Sequence, residues 1–301
     1  MIAAITKPSP FDYAMMGLTA LVWASAFIAI KVVVPETGPL WLAAWRVVIG
    51  FLVLLPYAIW RGIIWPADGR MWLLIAVIAV FNVVIPFFLI SWAEKTIDAA
   101  VASLLMGTGP FLALIGSHFS TNDDRITAPK MFAVVLGFMG VGLIVGVDAF
   151  SGLGGETVLS QLAAMGGALS YVVAGLLVRK TDMPPVRLGC LVLGMGSAIL
   201  IALALMFDGW PTMGISALAF WSLIYLGLVP TGLGQILRFV LIKKVGYAAF
   251  SLSLNLIPVL GVGLGALLLG EIITLRTFAA LVLVLAGLFI SRMSFGAQKA
   301  P

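Results

Sequence analysis

Apolar residues run along this chain in long stretches, with no alternation of period two and no narrow stripe of period 3.6 to mark a half-buried strand or a surface helix. About 20 consecutive apolar residues are needed for a helix to cross hydrocarbon. Ten stretches meet that requirement: 11–34, 39–60, 70–93, 98–119, 129–147, 158–178, 186–207, 216–242, 247–269 and 274–292. The eighth is long and interrupted by Pro230. The connections are short and punctuated by Gly, Pro, Asp and Lys, as in "RGIIWPADGR" and "RKTDMPP", so none has room for a soluble domain. The pattern predicts an all-α polytopic membrane protein whose function lies within the membrane.

Composition agrees. Of 301 residues, 62% are apolar and 10% charged, against about 45–50% and about 25% in a soluble domain. Cys190 and His118 are each the sole residue of their type, which excludes a disulfide framework and a Cys/His metal site. No cofactor is expected. Lys7, an apolar run and "WASA" imitate a secretory leader, but the run continues through Val34; an uncleaved first span is expected.

The formal net charge of +5 changes meaning once the cations are placed. Lys7, Arg61, Arg70, Arg125, Lys130, Arg179, Lys180, Arg187, Lys243, Lys244, Arg292 and Lys299 fall on one set of termini and loops. Only Lys31, Lys95 and Arg276 fall on the other. Cytoplasmic loops carry the excess of Lys and Arg, so both termini are expected in the cytoplasm, in a plasma (bacterial inner) membrane. The basic balance is therefore a topology signal; with no basic stripe, no nucleic-acid partner is expected.

The chain also matches itself at a shift of 148 residues. Trp23 falls on Tyr171, Lys31 on Arg179, Ser103 on Ser251, Pro110 on Pro258 and Asp123 on Glu271. A unit of five spans is odd, so a second copy enters from the opposite side. Two inverted halves, 1–150 and 151–301, are expected, an architecture of secondary transporters with the site near the midplane between the halves.

Four stretches carry a resemblance to a known family: "WASAFIAIK" in span one, "LAAWR" in span two, "AAVASLLMGTGP" in span four and "SLSLNLIPVLGVGLGALLLGE" followed by "IIT" in span nine. In order and spacing they resemble EamA-type carriers of the drug/metabolite transporter superfamily, over nearly the whole chain. The resemblance implies a ten-helix basket with a central cavity lined by spans one, three, four, six, eight and nine. It implies export of small metabolites, with amino-acid exporters of the aromatic (YddG-like) type the nearest fit. Tyr171 stands in "GGALSYVVAG", where the family often has tryptophan, which weakens the substrate inference.

Polar residues inside spans are costly in hydrocarbon and mark candidate sites. Asn82 and Pro86 lie in span three; Ser103, Met106, Thr108 and Pro110 in span four; Tyr225, Pro230, Thr231 and Gln235 in span eight; Ser251, Ser253, Asn255 and Pro258 in span nine. Asn255, Asn82 and Gln235 are the leading substrate contacts. Interhelical hydrogen bonding is the competing account for the serines, and kinking without a ligand for the prolines. Trp23, Tyr171, Met106 and Tyr225 are candidates for an apolar, polarizable wall. Arg46, about two turns into span two, is expected to snorkel to the surface or to pair with Glu94 or Glu271; binding a substrate carboxylate is the alternative. Glu271 is retained as a second charge candidate. All twelve carboxylates fall in tails, loops or span ends, which favours facilitated or gradient-driven exchange over an obvious proton relay. Glycines 261, 263 and 265, and Gly142 with Gly146, predict close helix contacts.

These features point to a carrier of amino acids or similar metabolites working by alternating access in the lipid bilayer, as a monomer or weak dimer. An integral-membrane enzyme acting on lipid or isoprenoid groups is the alternative; "NDDR" at Asn122–Arg125 faintly resembles an acidic metal motif but lacks a second cluster. A non-transporting accessory protein is the third reading.

Overall fold

A computed structural model describes residues 8–60, 62, 65–66, 68–120, 127–150, 155–178, 180–181, 183–211 and 214–297. All regular structure among them is helical: α1 Pro10–Thr37, α2 Pro39–Trp60, α3 Gly69–Ala79, α4 Ile85–Ala93, α5 Ala99–Met106, α6 Gly109–Ser120, α7 Ala128–Phe150, α8 Glu156–Val178, α9 Pro185–Phe207, α10 Ala217–Leu226, α11 Gly234–Leu254, α12 Leu256–Leu269 and α13 Leu275–Ala297. Two π-helical segments, Val80–Val84 and Gly227–Leu233, join α3 to α4 and α10 to α11. Eight runs are long and apolar enough to cross a membrane, and the shorter apolar helices Leu256–Leu269 and Leu275–Ser291 complete ten. This is a ten-helix integral membrane protein.

Proline explains where the helices break. A proline ring clashes with the carbonyl four residues earlier and offers no N–H to it. Pro110 acts on Met106, where α5 ends, and Pro258 on Leu254, where α11 ends. Pro230 acts on Leu226, the last residue of α10, and Pro86 on Asn82 inside the first π segment. The breaks recur at one spacing: 80–84 plus 148 falls within Gly227–Leu233, and Met106 plus 148 is Leu254.

Spans eight and nine meet inside α11. A straight helix would hold residues 234 and 250 about 24 Å apart. Yet Trp23 packs on both, with a Cβ at Gly234 only 2.9 Å from its indole nitrogen and the Phe250 ring edge-on at 6.0 Å. The run therefore turns back on itself, and the expected junction between 242 and 247 sits in that turn.

Small residues set the helix spacing. Gly107 abuts Pro258 and Gly261 abuts Ser103, locking α5 against α12. On α7 the close contacts fall elsewhere than expected. Gly137 meets Phe111 and Gly140 meets the backbone of Ala280, while Gly142 and Gly146, like Gly263 on α12, face open space. The reason is rotational: α7 packs on α13 through the Gly137–Gly140 side, and the later glycines lie off that seam.

Candidate functional site

The π segments supply what a regular helix cannot, carbonyls released from the ladder and pointing at neighbouring spans. Each is met by a side chain. Thr231 Oγ1 donates to Leu226 O at 2.8 Å, filling the acceptor that Pro230 frees. Trp23 Nε1 donates to Pro230 O at 3.1 Å, and Ser170 Oγ to Phe81 O at 2.8 Å. Spans one and six are thereby tied to the breaks in spans eight and three.

Arg46 reaches into this region. The residue is 6% exposed; its guanidinium carbon lies 4.0 Å from the centroid of the Phe87 ring, and Nε donates to Thr231 Oγ1 at 3.3 Å. The expectation of a snorkelling side chain is overturned. Gly50, one turn further along α2, admits the second π segment so closely that a Cβ there would stand 2.6 Å from Thr231 Cγ2. That approach puts a hydroxyl and an aromatic face within reach of the cation. Cation–π contact in a desolvated setting is worth about 2 kcal/mol.

The proposed carboxylate partners of Arg46 do not pair with it directly. Glu271 accepts from the backbone N–H groups of Ala99 at 2.8 Å and Ala100 at 2.9 Å, capping the start of α5. Glu94 is fully buried and within electrostatic reach of Arg46, yet neither carboxyl oxygen has a hydrogen-bond partner among the described residues.

Three of the wall candidates share one apolar cluster, whereas Trp23 packs in another with Met16, Leu241, Val245 and Phe250. Tyr225 OH and Ser25 Oγ share a hydrogen bond of 2.5 Å between spans eight and one. Met106, Tyr171 and Tyr225 are half-buried against one apolar cluster that includes Ile28, Leu105 and Leu226. Tyr171 is also within electrostatic reach of Arg46.

Asn82 lies half-buried in the first π segment, and Asn255 half-buried at the break between α11 and α12. Gln235 accepts from Arg238 at 3.5 Å. Ser103 is fully buried and donates to Ala100 O of its own helix at 2.8 Å, not to a neighbouring helix. The side chain of Ser251, and Asp123 with the rest of "NDDR", lie outside the described residues.

Sequence reasoning counted Thr231 among the informative polar residues of span eight without giving it a role, and left out Phe87, Ser25 and Ser91. Thr231, one residue after a mid-span proline, carried a usable signal; Phe87 and Ser91 did not. A cavity of about 40 Å³ lies at span ends, between Thr37, Trp41, Trp45 and Leu223.

A family model described as "EamA-like transporter family" matches the chain twice, over residues 12–146 and 158–293. The chain belongs to the EamA-like transporter family. As an EamA-like protein it resembles the uncharacterized transporter YoaV of Bacillus subtilis, 24% identical over 95% of this chain and 98% of the relative. A probable terminal-alkyne amino-acid exporter of Streptantibioticus cattleyicolor is 26% identical over 94% of both chains. A probable amino-acid metabolite efflux pump of Escherichia coli is 26% identical over 96% of this chain and 97% of its own. A crystal structure at 20% identity superposes with a TM-score of 0.67, covering 94% of this chain and 99% of that one; it speaks to the fold alone. This EamA-like chain is thus a membrane transporter by family.

Proposed function

We propose that this protein exports small metabolites, amino acids foremost and neutral or aromatic ones in particular, by alternating access between inverted halves 1–150 and 151–301. The observation that carries the reading is Arg46, a buried guanidinium held between spans two, three and eight and within electrostatic reach of Tyr171. A cation at that depth, shared with a neutral hydroxyl and a ring, suits a carboxylate cargo with an apolar side chain. Relatives named as an amino-acid exporter and an amino-acid metabolite efflux pump support the same class.

The inverted halves are supported by the helix breaks at one spacing of 148 and by the family model's two matches. The cation bias supports cytoplasmic termini in a plasma membrane. Asn82 and Asn255 sit at backbone breaks in opposite halves, where amides serve as polar contacts and Pro86, Pro110, Pro230 and Pro258 as hinges.

Purified protein in liposomes tests this. It should exchange labelled phenylalanine, tryptophan or leucine without altering them, and Asn255→Ala should reduce flux more than it reduces folded protein. Folded protein that moves none of a broad metabolite panel would sink the reading.

A further inference from the structure

Glu94 is a buried carboxyl that no contact explains. It follows the last residue of α4, is fully buried, and among the described residues neither oxygen has a hydrogen-bond partner. Ser91, three residues earlier, is also fully buried, its hydroxyl likewise without a partner among the described residues. Phe87, Ser91 and Glu94 recur at intervals of four and three, so they share one helix face. At the other end of that face Arg46 rests on the Phe87 ring.

The surrounding charges are engaged elsewhere. Lys31 on α1 donates to the backbone carbonyls of Glu94 at 2.9 Å and Ile97 at 2.7 Å, bypassing the carboxyl. Arg46 on α2 is bonded to Thr231, and Glu271 beyond α12 caps α5. From α8, Tyr171 is within reach of Arg46, and Gln161 is buried. Lys95, Asp98 and Glu156 are exposed. A carboxylate buried without a hydrogen bond takes up a proton instead. Burial accordingly pushes the Glu94 carboxyl well above the usual range; Lys31 and Arg46 pull it down, and Glu271 adds to the rise.

Two poles of opposite potential charge therefore sit on one face of span three, one cationic and one a neutral acid. Resting on the reading of the protein as an amino-acid carrier, we propose that a zwitterionic amino acid bridges them, carboxylate on Arg46 and ammonium on Glu94, displacing the proton Glu94 holds in the empty carrier. The balance is simple. The Glu94 O–H bond breaks, the proton passes to water, and the ammonium forms a charge-assisted hydrogen bond to the carboxylate with Ser91 as a further polar contact. Proton and substrate compete for one group, so they cross in opposite directions, and an inward proton gradient drives export. Each cycle carries one positive charge inward.

By sequence position every carboxylate falls in a tail, a loop or a span end, the pattern that argued against a proton relay. Glu94 is at a span end by number, but the bundle closes over it. Depth and sequence position diverge there.

The test is calorimetry of L-phenylalanine, L-tryptophan and L-leucine binding in buffers of different ionisation enthalpy, with wild type and Glu94→Gln. The expected wild-type result is one proton released per amino acid bound, with affinity weakening about tenfold per pH unit of acidification while Glu94 is protonated. Glu94→Gln should release none and bind about tenfold or more weakly. Infrared titration of the wild type supplies a measurement independent of any variant: a carboxylic-acid C=O band present in the empty protein at neutral pH should vanish on adding substrate. Binding without proton release, or an unchanged band, overturns the proton exchange and leaves the carrier reading standing. No binding and no liposome flux for any amino acid overturns both.

Discussion

The guanidinium carbon of Arg46 lies 4.0 Å from the centre of the Phe87 ring, with Nε bonded to Thr231 across the interface between spans two and eight. This contact makes the planar shape of the cation matter as much as its charge. Lysine keeps the charge but loses the flat stacking surface and the Nε–H. Arg46→Lys should fold and reach the membrane while exchanging substrate about ten- to hundredfold more slowly, the kinetic equivalent of about 1.5–3 kcal/mol for a charged hydrogen bond. Liposome exchange rates check this; wild-type rates in the lysine variant would show that charge alone suffices.

Span four crosses span nine where neither has room. A Cβ on Gly107 would stand 2.6 Å from Pro258 Cγ and 2.9 Å from Leu104 O, and a closed proline ring cannot rotate away. Gly107→Ala should cost about 1–3 kcal/mol from overpacking. Gly263→Ala, which meets nothing within 4 Å, should be close to neutral. Thermal denaturation of the two variants in one detergent gives the comparison, and equal shifts would contradict the packing account.

Glu271 holds the first turn of α5 through two backbone N–H groups. Truncation to alanine leaves those donors without their partner and removes a negative charge from a helix N-terminus. Glu271→Ala should destabilise the protein by about 1–3 kcal/mol, with Glu271→Gln intermediate because its amide oxygen accepts only one of the two bonds. A stability loss in glutamine equal to that in alanine would count against the cap.

At the start of α1, Asp12 closes a capping box with Ser9 and pairs with Lys244 at 2.8 Å, joining span one to the turn between spans eight and nine. Asp12→Ala should cost about 1–2 kcal/mol, mostly through the cap. Lys244→Ala should cost about 0–1 kcal/mol, since that side chain is half exposed and its pair is screened. The two single variants and their double separate cap from pair, and a larger loss for lysine than for aspartate would reverse the assignment.

Helix number and helix breaks were legible in the sequence because both have local causes. Hydrocarbon thickness fixes the length of an apolar run, and a proline disturbs the carbonyl four residues before it wherever it sits in a helix. Pro110 and Pro258 thus announced the ends of α5 and α11. The glycine seam on α7 was misplaced, because a glycine pattern does not reveal which side of the helix meets α13.

Span count, apolar character, the charge bias and the spacing of the breaks were set by the order of residues alone, since each depends on a short stretch meeting lipid or its own backbone. The fate of Arg46 and Glu94 was decided only by tertiary structure. Both lie a few residues from a span end, where a long side chain has a surface within reach. The cation turns inward because Gly50 lets the second π segment approach with Thr231, and the acid is sealed because spans one, two and six close around the end of α4. Burial is a property of neighbours distant in sequence, so no local pattern encodes it.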